Sequence, residues 1–252
     1  MRDYKLETEK RINWIKDLLE SAGAKGIIYG NSGGKDSALV GILCKMACDN
    51  TVGVIMPCAS AINYGEDSKD ANDVAKQFNI ETRIVDLTET RESLLAAMLA
   101  NKLSSDAIKN INPRLRMTTL YAIGQSEGRL VAGTGNRDEL YVGYYTKYGD
   151  GGADFNPIAD LTVGEVYEFL EYFDAPVNIR TKAPSAGLEE GQTDEGEMGI
   201  LYSDLDKYLQ SLDEGKESGV APEIIEKIER MHKRSLHKIT GLKKYGEIVD
   251  NK

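Results

Sequence analysis

The sequence predicts an α/β fold: a doubly wound, mostly parallel sheet with helices on both faces. Three observations carry that expectation. Short apolar runs of strand character alternate with amphipathic helical patterns between residues 26 and 132, and such alternation favours parallel strands joined by crossover helices. A glycine-rich turn, Gly30-Asn31-Ser32-Gly33-Gly34-Lys35-Asp36-Ser37, joins the first run directly to a helix. The chain has 252 residues, 41% of them hydrophobic, which is enough to bury one large core. Residues 1–252 are therefore expected to form a single domain.

Taken in order, residues 4–22 place Trp14, Ile15, Leu18, Leu19 and Ala22 at helical spacing, and Gly23 follows as a C-terminal stop. Residues 26–29 read as a buried strand and residues 38–43 as the helix after the glycine turn. Residues 51–57 are a second strand. A helix is expected over residues 65–78, with Asn63 and Glu66 as a capping box. A strand over residues 81–87, helices over 89–103 and 113–125, and a strand over 129–132 continue the alternation.

Residues 133–157 break the pattern. Their glycines, tyrosines and charges follow neither helix nor strand period, and irregular segments held by a rigid sheet commonly carry binding residues. Beyond them Thr162 and Glu165 form a capping box before Val166, Phe169, Leu170 and Phe173. Residues 182–185 read as a loop, and residues 200–212 and 221–236 as helices. In the last of these Ile224, Ile225, Ile228 and Met231 face one way, with Glu226, Lys227, Glu229 and Arg230 as a solvated face.

Composition limits the function. A net charge of −10 argues against a broad basic face for a nucleic acid backbone, whereas a few local donors can still hold a small anion. No apolar run approaches the ~18 residues of a membrane span, and the charged N-terminus is not a secretory signal, so a cytoplasmic protein without a membrane partner is expected. Cys44, Cys48 and Cys58 lack CxxC spacing or a nearby histidine and read as small buried apolar residues.

The glycine turn has the make-up of an anion cradle. Gly33 and Gly34 let successive N–H groups converge, Ser32 and Ser37 add hydroxyls, and the following helix N-terminus adds partial positive charge. Asp36 looks misplaced beside a phosphate unless a divalent cation lies between them, and Mg²⁺ takes both carboxylate and phosphate oxygens. Nucleotides bind at the carboxyl ends of parallel strands where the strand order reverses, so Met56, at the end of the second strand, is expected near the adenine. The loop is not a Walker A motif, because its lysine precedes an aspartate. It resembles the pyrophosphate-binding loop of ATP pyrophosphatases, which split ATP between its α and β phosphates.

Asn112-Pro113-Arg114-Leu115-Arg116-Met117, Tyr145-Thr146-Lys147-Tyr148-Gly149-Asp150-Gly151 and Lys182-Ala183-Pro184-Ser185-Ala186-Gly187-Leu188 extend this likeness. In that order, over residues 26–237, the chain resembles the ammonia-dependent NAD⁺ synthetases, with an adenine nucleotide alpha hydrolase-like fold. The resemblance implies amidation of deamido-NAD⁺ to NAD⁺ with ATP, ammonia and Mg²⁺, through an acyl-adenylate, releasing AMP and pyrophosphate. It implies that Gly30, Asn31, Ser32, Gly33, Gly34, Lys35, Asp36 and Ser37 bind ATP phosphates, that Thr134 and Ser185 contact ATP, and that Asp36 and Glu139 bind Mg²⁺. Arg114, Lys147, Asp154, His237 and Lys238 match deamido-NAD⁺ positions, and the chemistry is expected to rest on Ser32, Asp36, Glu139 and Lys147. A homodimer is implied as well, and residues 59–64 and 189–196 are expected to close over ATP.

Some positions depart from the family pattern. The usual His-Lys-Arg is followed closely by proline, whereas this chain offers both His232-Lys233-Arg234 and His237-Lys238. Ser185 replaces a threonine and keeps its hydroxyl. Val163 stands where an ATP-contacting lysine is common, leaving Lys35 or Lys182 to supply the cation. The alternatives are a GMP synthetase-like or tRNA thiolase-like pyrophosphatase, which the 146–151 segment disfavours, and a nucleotide-binding module without catalysis. No glutaminase domain is expected and no cysteine lies near the N-terminus. The enzyme should therefore turn over with ammonium and not with glutamine alone; equal rates with the two donors would contradict this.

Overall fold

The strand Gly26–Gly30 (β1) lies inside the sheet of the computed structural model, which describes residues 2–58, 65–99, 102–182, 193–241 and 244–245. It pairs in parallel with Thr51–Ile55 (β2), which pairs in parallel with Glu81–Ile84 (β3). On its other side β1 pairs in parallel with Arg129–Ala132 (β4), giving the order β3-β2-β1-β4. Ile27, Ile28, Val52 and Val54 are fully buried, as strands covered on both faces must be. Each such side chain contributes about 1.5–3 kcal/mol.

The chain first steps from β1 to β2 and β3 and then returns to the far side of β1 to form β4. The crevice at the carboxyl ends of β1 and β4 is thus a topological switch point, where α/β sheets bind ligands.

Helices cover both faces. Tyr4–Ala22 (α1) and Lys35–Ala47 (α2) lie against one face, with Ile15, Leu39, Ile42 and Leu43 in a cluster that also holds Ile27 and Tyr29. Glu66–Gln77 (α3), Thr88–Ala97 (α4), Ser105–Lys109 (α5) and Ile111–Glu127 (α6) follow. Leu120 of α6 packs with Ile28, Val52 and Val54 on the opposite face. Arg137–Val142 (α7), Val163–Tyr172 (α8), Val177–Thr181 (α9), Asp194–Met198 (α10), Tyr202–Glu214 (α11) and Pro222–Ile239 (α12) complete the described elements. Val142, Val163, Met198, Leu205 and Ile228 make a third cluster, which holds α12 and α7 beside the switch point.

Doubly wound α/β architecture and the Thr162–Glu165 capping box appear as expected. All three cysteines are free thiols, Cys44 and Cys58 buried and Cys48 half-buried. Other boundaries shift for local reasons. The helix expected through residue 103 stops at Ala97, because Leu99 turns left-handed at φ 53°. The start of α3 is capped by Gly65 without a side-chain bond, and Asn63 lies outside the described residues. The stretch read as irregular contains α7, a helix too short to show a period. On α12, Ile228 is buried and Ile224, Ile225 and Met231 pack beside it. Its polar face is solvated as expected, with Glu226, Glu229 and Arg230 exposed, and it also ties neighbouring elements: Glu229 accepts from the hydroxyls of Tyr141 and Tyr208, each at 2.6 Å, and Lys227 Nζ donates to the Gly199 carbonyl at 2.9 Å.

Tyr29 fixes how closely α2 approaches the sheet. Its ring is fully buried, a Cβ on Gly41 would stand 2.3 Å from its Oη, and that hydroxyl has no hydrogen-bond partner among the described residues. Gly41→Ala should therefore destabilise the protein by about 1–3 kcal/mol through overpacking. Tyr29→Phe, which removes an unpaired hydroxyl, should be neutral or stabilise by about 1 kcal/mol. Urea unfolding checks both, and a clear loss of stability in Tyr29→Phe would contradict this packing.

Candidate active site

A cavity of about 600 Å³ opens at the switch point. Its floor is the glycine turn after β1, its far wall Gly133, Thr134 and Gly135 after β4, and its side Met56 and Pro57 after β2. The strand ends therefore bring together residues a hundred positions apart in sequence.

The glycine turn is shaped for an anion. Gly33 has φ 77°, and a Cβ there would lie 2.2 Å from the Asp67 carbonyl at the start of α3, so only glycine fits. Ser32 Oγ donates to Ser37 Oγ at 3.1 Å and accepts from the Gly34 N–H at 3.3 Å. No side chain caps the N-terminus of α2, whose first N–H groups lack helical acceptors. Asn31 is buried and lines the cavity, and its amide on the Ala71 carbonyl at 3.1 Å anchors the turn.

Above the turn, Asp36 and Glu139 converge through Asn136. Asn136 is fully buried and donates from Nδ2 to Asp36 Oδ1 at 3.1 Å. Its Oδ1 accepts from the Glu139 N–H at 3.0 Å, while Glu139 Oε2 accepts from the Asn136 N–H at 3.0 Å, a complete capping box on α7. Burial, and then the charge of Asp36, push the Glu139 carboxyl well above its usual range. Lys35 Nζ lies 2.7 Å from Asp36 Oδ2. Burial alone would lower the Lys35 ammonium, but Asp36 and Glu139 outweigh it and raise it.

These residues fit Mg²⁺ held jointly with phosphates. No group of three or more His, Cys, Asp or Glu is arranged for a metal among the described residues, but Mg²⁺ commonly uses only one or two carboxylates together with substrate phosphates and waters. Asp36 and Glu139 are such a pair.

The other expected residues fall into two groups. Thr134, Met56 and Lys238 line the cavity, as do all of the glycine turn except Gly33. Arg114, Lys147, Asp154 and His237 do not line it. Arg114 donates to the Lys147 carbonyl at 3.4 Å, and Lys147 Nζ donates to the His237 carbonyl, so these three form one cluster on the rim. Asp154 sits apart, accepting from the Val131 N–H at 2.8 Å and the Tyr121 hydroxyl at 3.1 Å. Ser185 and residues 59–64 lie outside the described residues. Of residues 189–196, 189–192 also lie outside them, while Asp194 begins α10 and is buried.

The two C-terminal His-Lys pairs have different surroundings. His232 stacks on Tyr141 with centroids 4.1 Å apart and its Nδ1 meets the Tyr141 carbonyl at 2.8 Å, which ties α12 to α7. Lys238 reaches the cavity, donating to the Gly143 and Tyr145 carbonyls, each at 2.6 Å. Of the two candidate cations for the Val163 position, Lys182 is held by Asp67 at 2.8 Å and Asp70 at 2.7 Å, and Lys35 by Asp36.

Sequence reasoning missed several site residues. Arg116 lines the cavity and donates to the Met56 carbonyl at 3.0 Å; it sits in a motif singled out for Arg114, which was the available signal. Tyr144 donates to Glu197 at 2.7 Å, and the Tyr202 hydroxyl to Asp194 at 3.2 Å, forming an acidic wall. Asn136 had a signal too, its spacing of three from Glu139.

The sheet order, the glycine turn at a helix N-terminus and the paired carboxylates define a nucleotide-binding α/β protein of the adenine nucleotide alpha hydrolase-like type. The chain belongs to the NAD synthase family, whose model matches residues 7–241. It is 45% identical to the NH(3)-dependent NAD(+) synthetase of Carboxydothermus hydrogenoformans, over 94% of this chain and 95% of that protein. It is 41% identical to that of Finegoldia magna, over 94% and 96%. Among solved structures, the NMN synthetase from Francisella tularensis aligns with a TM-score of 0.90 and 36% identity, over 98% of this chain and 100% of that one. The NH3-dependent NAD synthetase from Campylobacter jejuni aligns with a TM-score of 0.80 and 25% identity, over 96% and 99%.

Beside the site, Asp138 and Asp206 form a buried carboxyl pair. Asp138 Oδ2 accepts from the Val163 N–H at 2.6 Å and Asp206 Oδ2 from the Gly164 N–H at 2.9 Å, both at the start of α8. Their other oxygens have no donor of their own, yet the two carboxyls lie within hydrogen-bonding reach of each other. Burial first, and for Asp138 then the charge of Asp206, raise both. The folded protein thus keeps a proton that the unfolded chain releases near pH ~4. Stability from this pair is full below that pH and is lost as pH rises toward neutrality and beyond. Asp206→Asn supplies a permanent donor to Asp138 and should flatten the fall of Tm between pH 5 and 8; an unchanged slope would contradict the shared proton.

Proposed function

We infer that this chain converts deamido-NAD⁺ to NAD⁺ with ATP and ammonia, releasing AMP and pyrophosphate. The observation that carries this function is the joining of an anion-shaped glycine turn to the Asp36 and Glu139 pair across one cavity, in a chain 45% identical to an NH(3)-dependent NAD(+) synthetase. A carboxylate is a poor electrophile. Its oxygen attacks the α phosphorus of ATP as the P–O bond to pyrophosphate breaks; ammonia then attacks the acyl carbon, gives up a proton, and AMP leaves as the one C–O bond that joined it to the acyl group breaks.

The chain's own groups suit each requirement. N–H groups of the turn and of the first turn of α2, with the hydroxyls of Ser32 and Ser37, hold the departing phosphates in fixed positions. Asp36 and Glu139 would hold Mg²⁺, which would supply positive charge where the leaving pyrophosphate gathers negative charge. Met56 and Pro57 form an apolar side for the adenine, with Thr134 opposite. The acidic wall of Asp194 and Glu197 favours the approach of ammonium.

Residues 1–252 act as one synthetase domain with ammonia, not glutamine, as nitrogen donor. The rim cluster of Arg114, Lys147 and His237, with Asp154, extends the site outward toward the far nucleotide, and a second copy of the chain completes it in a homodimer. ATP as co-substrate fits a cytoplasmic location, and no helix among the described residues is long and apolar enough to cross a membrane.

A mononucleotide substrate is the second reading, favoured by the full-length alignment with the Francisella NMN synthetase. Pyrophosphate release with ATP, Mg²⁺ and ammonium, given either deamido-NAD⁺ or nicotinic acid mononucleotide, separates the two. The expected outcome is a higher kcat/KM with deamido-NAD⁺, and a preference for the mononucleotide would overturn it. Glu139→Gln should lower kcat roughly a hundredfold or more by removing one of the paired carboxylates; no release with either acceptor would leave a binding module.

A further inference from the structure

Nucleotide binding alone does not require a cation where Lys35 lies. The Lys35 side chain is 6% exposed, and its Nζ is 2.7 Å from Asp36 Oδ2. Asp36 Oδ1 is already taken by the Asn136 amide at 3.1 Å, so both oxygens of this carboxylate are engaged. The ammonium also feels the charge of Glu139 and stands 5.7 Å from the centroid of the Tyr202 ring. A buried ammonium is costly unless paired, and here its partner is Asp36, one of the two carboxylates assigned to Mg²⁺. An ammonium and a divalent cation on the same carboxylate oxygen repel strongly in so enclosed a place. One must leave before the other enters. Lys35 has a flexible stem and is the first residue of α2, beside the turn shaped for phosphates. Incoming phosphates therefore give its ammonium a second anion within reach.

We propose that Lys35 is an exchangeable counter-ion, which occupies the cation position on Asp36 in the empty site and yields it to Mg²⁺ when nucleotide phosphates arrive to receive its ammonium. The proposal rests on the assignment of Asp36 and Glu139 as metal ligands above. It makes metal and nucleotide binding positively coupled: the metal alone binds weakly, and the two together bind well. Lys35 is then a positioning residue that protects the site from a metal without substrate.

Mn²⁺ titration followed by electron paramagnetic resonance, with and without α,β-methylene ATP, tests this on the whole chain. Wild type should bind Mn²⁺ about tenfold or more tightly with the analogue than without it, a coupling of ordinary size. Lys35→Met, which keeps the stem and removes the charge, should bind Mn²⁺ alone about tenfold more tightly than wild type and show a correspondingly smaller coupling, the remainder coming from the phosphate ligands. Lys35→Arg should keep the weak binding of metal alone. Equal Mn²⁺ affinity in Lys35→Met and wild type overturns the proposal. Should Lys35→Met not fold, the wild-type titration decides by itself, because equal affinity with and without the analogue also overturns it. Wild type that holds no Mn²⁺ even with the analogue overturns the metal assignment itself, a different failure.

Discussion

Two carboxylates from distant parts of the chain must be held side by side in the lining of the cavity, and the site is built around that repulsion. Asp36 comes from the first turn of α2 and Glu139 from α7. Asn136 binds both, through its amide on one and a reciprocal capping box on the other. Lys35 balances their charge from within the protein. Removing any of these would leave buried charge unpaired, which is among the costlier defects a fold can carry. The sheet places β1 and β4 side by side for the same reason: only adjacent parallel strands bring their following loops this close.

The surrounding elements keep this arrangement open to a ligand. Gly33 lets the turn pass against the start of α3, where a side chain would collide with the Asp67 backbone. Lys182 fastens the end of α9 to Asp67 and Asp70 of α3, and so braces the same side of the cavity. Opposite, Lys238 fastens the backbone at Gly143 and Tyr145 from the last turn of α12. Two clamps from distant helices thus define a cavity whose floor favours phosphate and whose wall is acidic. That combination suits a reaction in which a polyphosphate leaves and a small cation-forming nucleophile arrives.

Local chemistry made much of this legible in the sequence. The glycine turn, its strand and its helix lie within about twenty contiguous residues, so periodicity and turn composition suffice to read them, and the capping box at Thr162 and Glu165 is equally local. The alternation of strands and helices likewise fixes the parallel sheet. What escaped were contacts across long separations. Asn136 reaches Asp36 across a hundred residues, and the pairing of Asp138 with Asp206 follows only from the packing of α7, α8 and α11. Helix α7, with six residues, is too short for its period to stand out among tyrosines and glycines. The two His-Lys pairs of α12 are five residues apart on one helix, and only the placement of α12 on α7 shows that Lys238 enters the cavity while His232 packs against Tyr141.

The proposed cation position on Asp36 and Glu139, filled by Lys35 until metal and nucleotide enter together, has a direct crystallographic signature. Anomalous scattering from crystals grown with Mn²⁺ and α,β-methylene ATP tests it most directly. A single Mn²⁺ peak shared by Asp36 and Glu139 is expected, with the Lys35 ammonium moved from Asp36 onto a phosphate oxygen. A metal peak elsewhere, or Lys35 still paired with Asp36 in the loaded site, would contradict it.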